Sequence, residues 1–382
     1  MKTMKRILII IGHYVPGYND GGPVRSIKNL TDYLGKEYKF RILTEDRDFG
    51  DEKPYPGIKV NDWNQVGNAQ VYYVPPKKFT LETIRVLAND VDLVYVTGCF
   101  SDYAIKAMVL KRFNIIKVPL VIASMGMFSP MAFKIKYKKK KIYAETFNIL
   151  GMFKNVYWSV TSEMEKNEVL QQINAKEDSF YIAEDLPRKV DATLINKQKT
   201  TGHLKIVWIS RISPKKNLLG AIEILQEIVA DISFTIFGPI YDNDYWNECK
   251  NALDNLPQNI HWSYCGNIES EDVVDRLKEF HVFLFPTFGE NYGHVIQEAL
   301  SAGCACVISD QTPWKDLEKN NLGYVISIHD YTKFRYAINK YASLSNDELN
   351  ILANDIHNYA VAVSNNSDNK SGYRPMFDSL CG

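Results

Sequence analysis

Two glutamates stand eight positions apart in the stretch FGENYGHVIQEAL, residues 288–300. Glu290 precedes a predicted helix start and Glu298 lies inside the helix. The apolar run HVFLFPT (281–287) reads as a strand leading into them, and Gly303 as the helix terminator. A helix beginning near Tyr292–His294 offers backbone N–H groups and its positive dipole end to an anion. Gly293 allows a ligand to approach the backbone closely. Helical side chains lean toward the N-terminus, so Glu298 can reach back toward the same ligand. Carboxylates accept hydrogen bonds from sugar hydroxyls. A phosphate with a sugar on either side describes a nucleotide sugar. The ordinary alternative is one glutamate serving the helix dipole and one facing solvent.

Other predicted strand ends carry further pieces. SRISPKKNL (210–218) places Arg211 and Lys216 five apart on one loop, a pair suited to a diphosphate in the absence of metal. Solvated loop charges are the plain alternative. GYNDGGPVRS (17–26) sets Gly21 and Gly22 before Pro23 at a predicted helix start. Their amides could face a phosphate, or the pair could simply form a turn. The stretch lacks the G-x-G-x-x-G dinucleotide fingerprint. YCGNIES (264–270) ends a strand at Gly266, and such a loop can read a base edge through its backbone or be an ordinary turn. Asp242 and Asp244 in YDNDYW imitate a metal motif but read as a helix-capping loop. No metal and no cofactor are expected.

Elements that would position these residues recur along the chain. RILIII (6–11), FRILT (40–44), VYYV (71–74), VDLVYV (91–96), PLVIA (119–123), VYWSV (156–160) and FYIA (180–183) are short apolar runs separated by helical patterns. The pattern restarts with TGHLKIVWIS (201–210), ISFTIFG (232–238), NIHWSYCG (259–266), HVFLFPT and ACVIS (305–309). Apolar strands alternating with helices predict parallel sheets covered on both faces. The polar stretch 187–202 reads as a linker. The expected fold is α/β, with two Rossmann-like doubly wound domains facing a central cleft. Residues 1–190 form the first and 191–365 the second, followed by a C-terminal segment, 366–382.

A chain of 382 residues suits two domains, and 46% hydrophobic with 24% charged residues is ordinary globular composition. Lys+Arg and Asp+Glu both number 45, which gives no support for a nucleic-acid partner. Six scattered cysteines without a C-x-x-C pair favour a reducing compartment. The basic start MKTMKRILIIIGHY carries too short an apolar run for a signal peptide and reads as a first strand. No window has the roughly 20 apolar residues of a membrane span. A cytoplasmic protein is expected.

Together these residues resemble the family 4 retaining glycosyltransferases, which have the GT-B fold. The resemblance spans nearly the whole chain and is strongest in SRISPKKN and in FPTFGENYGHVIQEALSAGCACVISD, with its E-x7-E pattern. GGPVRSIKNL, FGPIYDNDYW and ISDQTPW are similar to a subgroup common in bacterial surface-polysaccharide clusters. The resemblance implies that Arg211 and Lys216 clamp the donor diphosphate, that Glu290 meets the donor sugar near the reacting centre, and that Glu298 holds the ribose. It implies donor contacts from Tyr292, Gly293 and His294, from Gly21 and Gly22, and from Gly266, Asn267 and Ile268 at the base. Gly238 and Asn291 complete that donor set. Met125 in SMGMFSP stands where many members have a histidine or arginine before the glycine, here Gly126. Sugar or acceptor contacts would then fall to Ser124, Gly126, Ser129 or His13. The implied reaction is metal-independent, retaining transfer of a hexose or N-acetylhexosamine, from a UDP-sugar, to a glycan or lipid-linked acceptor. The last helix would cross back to the first domain.

FKIKYKKKKIY (133–143) holds six lysines within eight residues, Lys134 to Lys141. It reads either as a dock for the anionic inner face of the plasma membrane or as a solvated helix face. Three rivals fit parts of the pattern. A nicotinamide oxidoreductase lacks its fingerprint here. A GT-B sugar-nucleotide epimerase would need no acceptor. A non-catalytic nucleotide-sugar binder would not need Glu290, Arg211 and Lys216.

Overall fold

The computed structural model describes residues 4–17, 19–134, 136–366 and 371–382. The first three residues, Tyr18 in the glycine loop, Ile135 in the lysine run and residues 367–370 of the C-terminal segment lie outside them. Two compact units result: residues 1–186 with 367–382, and residues 187–366.

The first unit has an eight-stranded sheet of order β3-β4-β2-β1-β5-β6-β7-β8. Its strands are β1 (Arg6–Ile10), β2 (Lys39–Glu45), β3 (Trp63–Val66), β4 (Ala69–Val74), β5 (Leu93–Thr97), β6 (Leu120–Ala123), β7 (Val156–Val160) and β8 (Phe180–Ile182). Helices α1 (Gly22–Leu34), α2 (Leu81–Ala88), α3 (Asp102–Arg112), α4 (Pro130–Lys134), α5 (Tyr137–Ile149) and α6 (Glu163–Leu170) connect them. The central β5 is buried at every position, which is why it reads as an unbroken apolar run. The expected all-parallel sheet is corrected at one edge. Strand β3 pairs antiparallel with β4 through a short turn at Gly67, where φ is 53°. Its sequence WNQV is polar, and it is held by Trp63 edge-on to Tyr72 at 5.2 Å, so hydrophobic periodicity does not reveal it.

The second unit has a six-stranded parallel sheet of order β11-β10-β9-β12-β13-β14. Its strands are β9 (His203–Ile209), β10 (Asp231–Phe237), β11 (Ile260–Tyr264), β12 (Val282–Phe285), β13 (Ala305–Ser309) and β14 (Gly323–Ile326). The last is a short edge strand absent from the sequence reading. Helices α7 (Leu218–Leu225), α8 (Asn243–Asp254), α9 (Val273–Leu277), α10 (His294–Ser301), α11 (Tyr331–Ser343) and α12 (Asn346–Asn366) cover it. Two doubly wound sheets, parallel throughout except for the edge strand β3, are thus present.

Residues 187–199 form no strand or helix, yet they are pinned to α12. Asn346, Asn350 and Asn354, spaced one turn apart, accept the amides of Lys199, Lys197 and Ile195 at 3.0, 2.7 and 3.0 Å. His357 continues the series to the Thr193 amide at 3.1 Å. A polar stretch with no apolar period is ordered by side-chain amides standing in for a strand partner.

The C-terminal helix α13 (Tyr373–Cys381) packs on the first sheet. Tyr373, Met376 and Phe377 share one buried face at i, i+3 and i+4. Phe377 meets Tyr38 edge-on at 5.3 Å, and Arg374 holds Glu37 through two 2.8 Å bonds.

Candidate active site

In the second unit the strand order reverses between β9 and β12, the place where open α/β sheets form a crevice at their carboxyl ends. The loop carrying Arg211 and Lys216 leaves β9, and the loop carrying Glu290 leaves β12. The two are tied together. Asn217, at φ 55°, accepts the Gly220 amide and caps α7, while its Nδ2 donates to Pro286 O at 2.7 Å. The Phe288 amide and the Thr287 hydroxyl both donate to Lys215 O, at 3.0 and 3.2 Å. A third loop joins from β13. Ser309 donates to Thr287 O at 2.5 Å, the Glu290 amide to Gln311 O at 3.1 Å, and Trp314 Nε1 to Tyr292 O at 2.7 Å.

This framework brings the distant charges into contact. Lys216 Nζ forms an ion pair with Glu290 Oε1, each side chain largely shielded from water. The Arg211 guanidinium sits 5.5 Å from the Tyr241 ring centroid and makes no ion pair among the described residues. Lys215, given no role by the sequence reading, joins the same cluster. Burial, then the charges of Lys216 and Arg211, lower its ammonium pKa, and Glu290 opposes them. Three cations around one carboxylate leave an excess of positive charge, suited to a polyanion.

Helix α10 starts at His294 with Gly293 as its N-cap and no side-chain cap. Gly293 has φ 80°, a conformation that favours glycine, and a Cβ there would lie 2.9 Å from the movable Cδ1 end of Ile296. Tyr292 packs against His294 and Trp314 at 4.7 and 5.8 Å, which fixes the approach to the helix. Glu298 lies one turn in and is buried. Asn291, between Glu290 and Tyr292, remains half-buried in the loop.

The glycines at the β10 and β11 ends differ from each other. Gly238, at φ 130°, is locked against β9: a Cβ would lie 1.8 Å from Ser210 O. Its amide donates to Gly266 O at 2.8 Å, and its carbonyl accepts from Tyr264 at 2.9 Å. Gly238 therefore has a packing reason to be glycine. Gly266, at φ 71°, has open space around it, with Asn267 and Ile268 following in irregular backbone. Asp242 caps α8 by accepting the Tyr245 amide at 3.0 Å.

In the first unit the strand order reverses between β1 and β5. Gly21 and Gly22 follow β1, with open space where their side chains would be, and α1 starts at Gly22, so that Pro23 is its second residue. His13 Nδ1 lies 3.0 Å from Arg47 O and its ring meets Phe49 edge-on at 5.7 Å. Ser124 and Gly126 are occupied within the fold. Glu165 Oε1 accepts the Ser124 hydroxyl at 2.7 Å and the Gly126 amide at 2.6 Å, while Oε2 accepts the Thr161 amide and hydroxyl at 2.7 and 2.8 Å. Ser124 is fully buried. The carboxylate holds a turn in which Met125 and Gly126 both have positive φ, 51° and 67°. The S-x-x-E spacing of Ser162 and Glu165 was the available signal for this residue. Ser129 caps α4, donating to Gly126 O at 3.0 Å and accepting the Ala132 amide at 3.4 Å.

Among the described residues no group of three or more His, Cys, Asp or Glu is placed to hold a metal ion. No helix among them is long and apolar enough to cross a membrane.

Residues 191–361, less than half of the chain, match the family described as Glycosyl transferases group 1. Solved structures match along almost the whole chain. The Anabaena protein HepE (Alr3699), in complex with UDP and glucose, is 14% identical, with 98% of this chain and 100% of that one covered and a TM-score of 0.70. Sucrose-phosphate synthase from Thermosynechococcus elongatus is 14% identical over the same shares, at a TM-score of 0.69. WaaG, a glycosyltransferase involved in lipopolysaccharide biosynthesis, is 14% identical over the same shares, at 0.64. No curated protein matches the chain in sequence. The fold is GT-B, and together with the match over the second unit it supports a glycosyltransferase.

Proposed function

We propose that the chain is a retaining glycosyltransferase of family 4. It moves a hexose or N-acetylhexosamine from a UDP-sugar to a glycan or lipid-linked acceptor during surface-polysaccharide synthesis. The observation that carries this reading is the meeting of Arg211, Lys215, Lys216 and Glu290 where the β9, β12 and β13 loops converge beside the start of α10. The complex of the Anabaena protein HepE with UDP and glucose supports the choice of nucleotide.

In this reading the donor diphosphate lies among Arg211, Lys215 and Lys216, with one phosphate at the α10 start beside Tyr292, Gly293 and His294. Glu290 faces the transferred sugar and Glu298 the ribose, while Gly266, Asn267 and Ile268 border the base. As the C1–diphosphate bond breaks, negative charge grows on the leaving oxygen, and the cations and helix start stabilise it. The acceptor oxygen forms its bond to C1 on the face the diphosphate leaves. Its proton passes to a diphosphate oxygen, so no protein base and no metal take part. His13 and the turn held by Glu165 line the acceptor side. The work is done at the inner face of the plasma membrane, with the lysines between Lys134 and Lys141 toward anionic lipid.

The test is a screen of nucleotide sugars for slow hydrolysis, run with and without excess chelator and repeated with Glu290→Ala. Release of UDP and sugar by the wild type, unchanged by chelator and lost in the variant, is expected. Inert donors throughout would refute transfer, conversion of the donor sugar to its epimer would indicate an epimerase, and loss with chelator would refute metal independence.

A further inference from the structure

We infer that the first unit carries a membrane-inserting face built from two separate segments, the outer stripe of α5 and the end of α3. This builds on the proposed transfer to a lipid-linked acceptor and adds apolar anchors to it. The lysine run alone suggested only electrostatic contact.

With about 100° per residue on a helix, Lys138, Ile142 and Ile149 fall within about 40° of one line along α5. Lys139 and Lys141 flank that line, and Ala144 is buried on the far side. Ile142 is 63% exposed and Ile149 85%. Leu150, 56% exposed, is the C-cap of the helix, and its carbonyl accepts from Arg112 Nε at 3.2 Å. That bond brings the end of α3 alongside, with Phe113 71% exposed next to it. Four large apolar side chains thus stand in water on two segments that one hydrogen bond ties together, whereas scattered single ones are the norm.

The surroundings select the occupant. Lys136, Lys138, Lys139 and Lys141 lie exposed on or just before the same helix, and Arg112 and Lys154 are exposed at its end. The acid on the same helix face, Glu145, lies 3.9 Å from Lys141. Apolar anchors beside exposed cations match the boundary of an anionic bilayer, where acyl chains receive the anchors and headgroups the lysines. An apolar protein partner would leave those cations unmatched.

The experiment uses the full chain and co-sedimentation with vesicles of phosphatidylglycerol and phosphatidylcholine, or of phosphatidylcholine alone. Binding to the anionic vesicles only is expected. Ile142→Ser with Ile149→Ser should lower the partition coefficient by about ten-fold, even at low salt. Replacing Lys138, Lys139 and Lys141 by serine should lower it by ~100-fold. All five positions are exposed, and an unchanged thermal melt confirms folding. Donor hydrolysis in lipid-free solution should be unchanged in both variants, so an inert wild type would refute transfer without touching the vesicle result. The inference is overturned if the wild type ignores anionic vesicles, or if the isoleucine variant binds them as well as the wild type does. It is also overturned if the isoleucine variant abolishes self-association in a chain that shows no vesicle binding.

Discussion

Lys216 and Glu290, 74 positions apart in the chain, neutralise one another at the start of the site. A diphosphate must draw Lys216 away from this carboxylate or share it. Removing Glu290 therefore has two consequences of opposite sign. Glu290→Ala should lower kcat by roughly 10²–10³-fold while leaving UDP affinity unchanged or tighter, because Lys216 loses its competing anion. Lys216→Ala should weaken UDP binding. Calorimetric titration with UDP beside steady-state kinetics separates the two, and equal losses in both measurements for both variants would show a purely structural pair.

Glu298 is buried one turn inside α10. If it holds the ribose, Glu298→Gln keeps its shape and should raise the donor KM with little change in kcat. A fall in kcat at unchanged KM would place it at the reacting centre instead.

Gly293→Ala forces a side chain into positive φ and against Ile296 and Trp314. The expected cost is about 1–3 kcal/mol of stability in the second unit. It would be read as a lowered melting temperature, together with weaker UDP binding because the α10 start shifts. An unchanged melt and unchanged affinity would show that the loop absorbs the methyl group.

Asp185 supplies a pH dependence in the first unit. Burial lifts its carboxyl from 3.8 to about 7, against a smaller opposing hydrogen bond from Ser26. The folded state therefore holds a proton that the unfolded chain has released. Its contribution to stability is full below about pH 4 and is withdrawn as pH rises through 7. The span is on the order of 4 kcal/mol. Asp185→Asn should flatten that part of the stability profile between about pH 4 and 7 in urea titrations. An unaltered slope would mean that another group carries it.

Much of the architecture was legible because buried parallel strands must be continuously apolar: VDLVYV and ACVIS leave little choice. Strand β3 carries no local signal, because WNQV has no apolar period and its place depends on β4. The polar stretch 187–202 looked like a free linker because its partners, the asparagines of α12, come about 150 residues later. Within the site, the spacing of Arg211 and Lys216 was visible on one loop, but the contact of Lys216 with Glu290 was not. Nor was the use of Ser124 and Gly126 by Glu165.

The sequence by itself determined the local features: which runs are strands, where α10 starts, which loops carry charge, and that Gly293 precedes a helix. Those follow from side-chain periodicity and backbone sterics over a few residues. Only the tertiary structure decided which loops meet. The strand order sets β9 beside β12, and that adjacency, not any spacing along the chain, places Lys216 on Glu290 and adds Lys215 to the same cluster. Likewise the ends of α3 and α5 each carry exposed apolar side chains, and packing alone ties the two ends together, through Arg112 and the Leu150 carbonyl. Contacts between distant segments are set by the minimum-energy packing of the whole sheet and its helices, which no local pattern encodes.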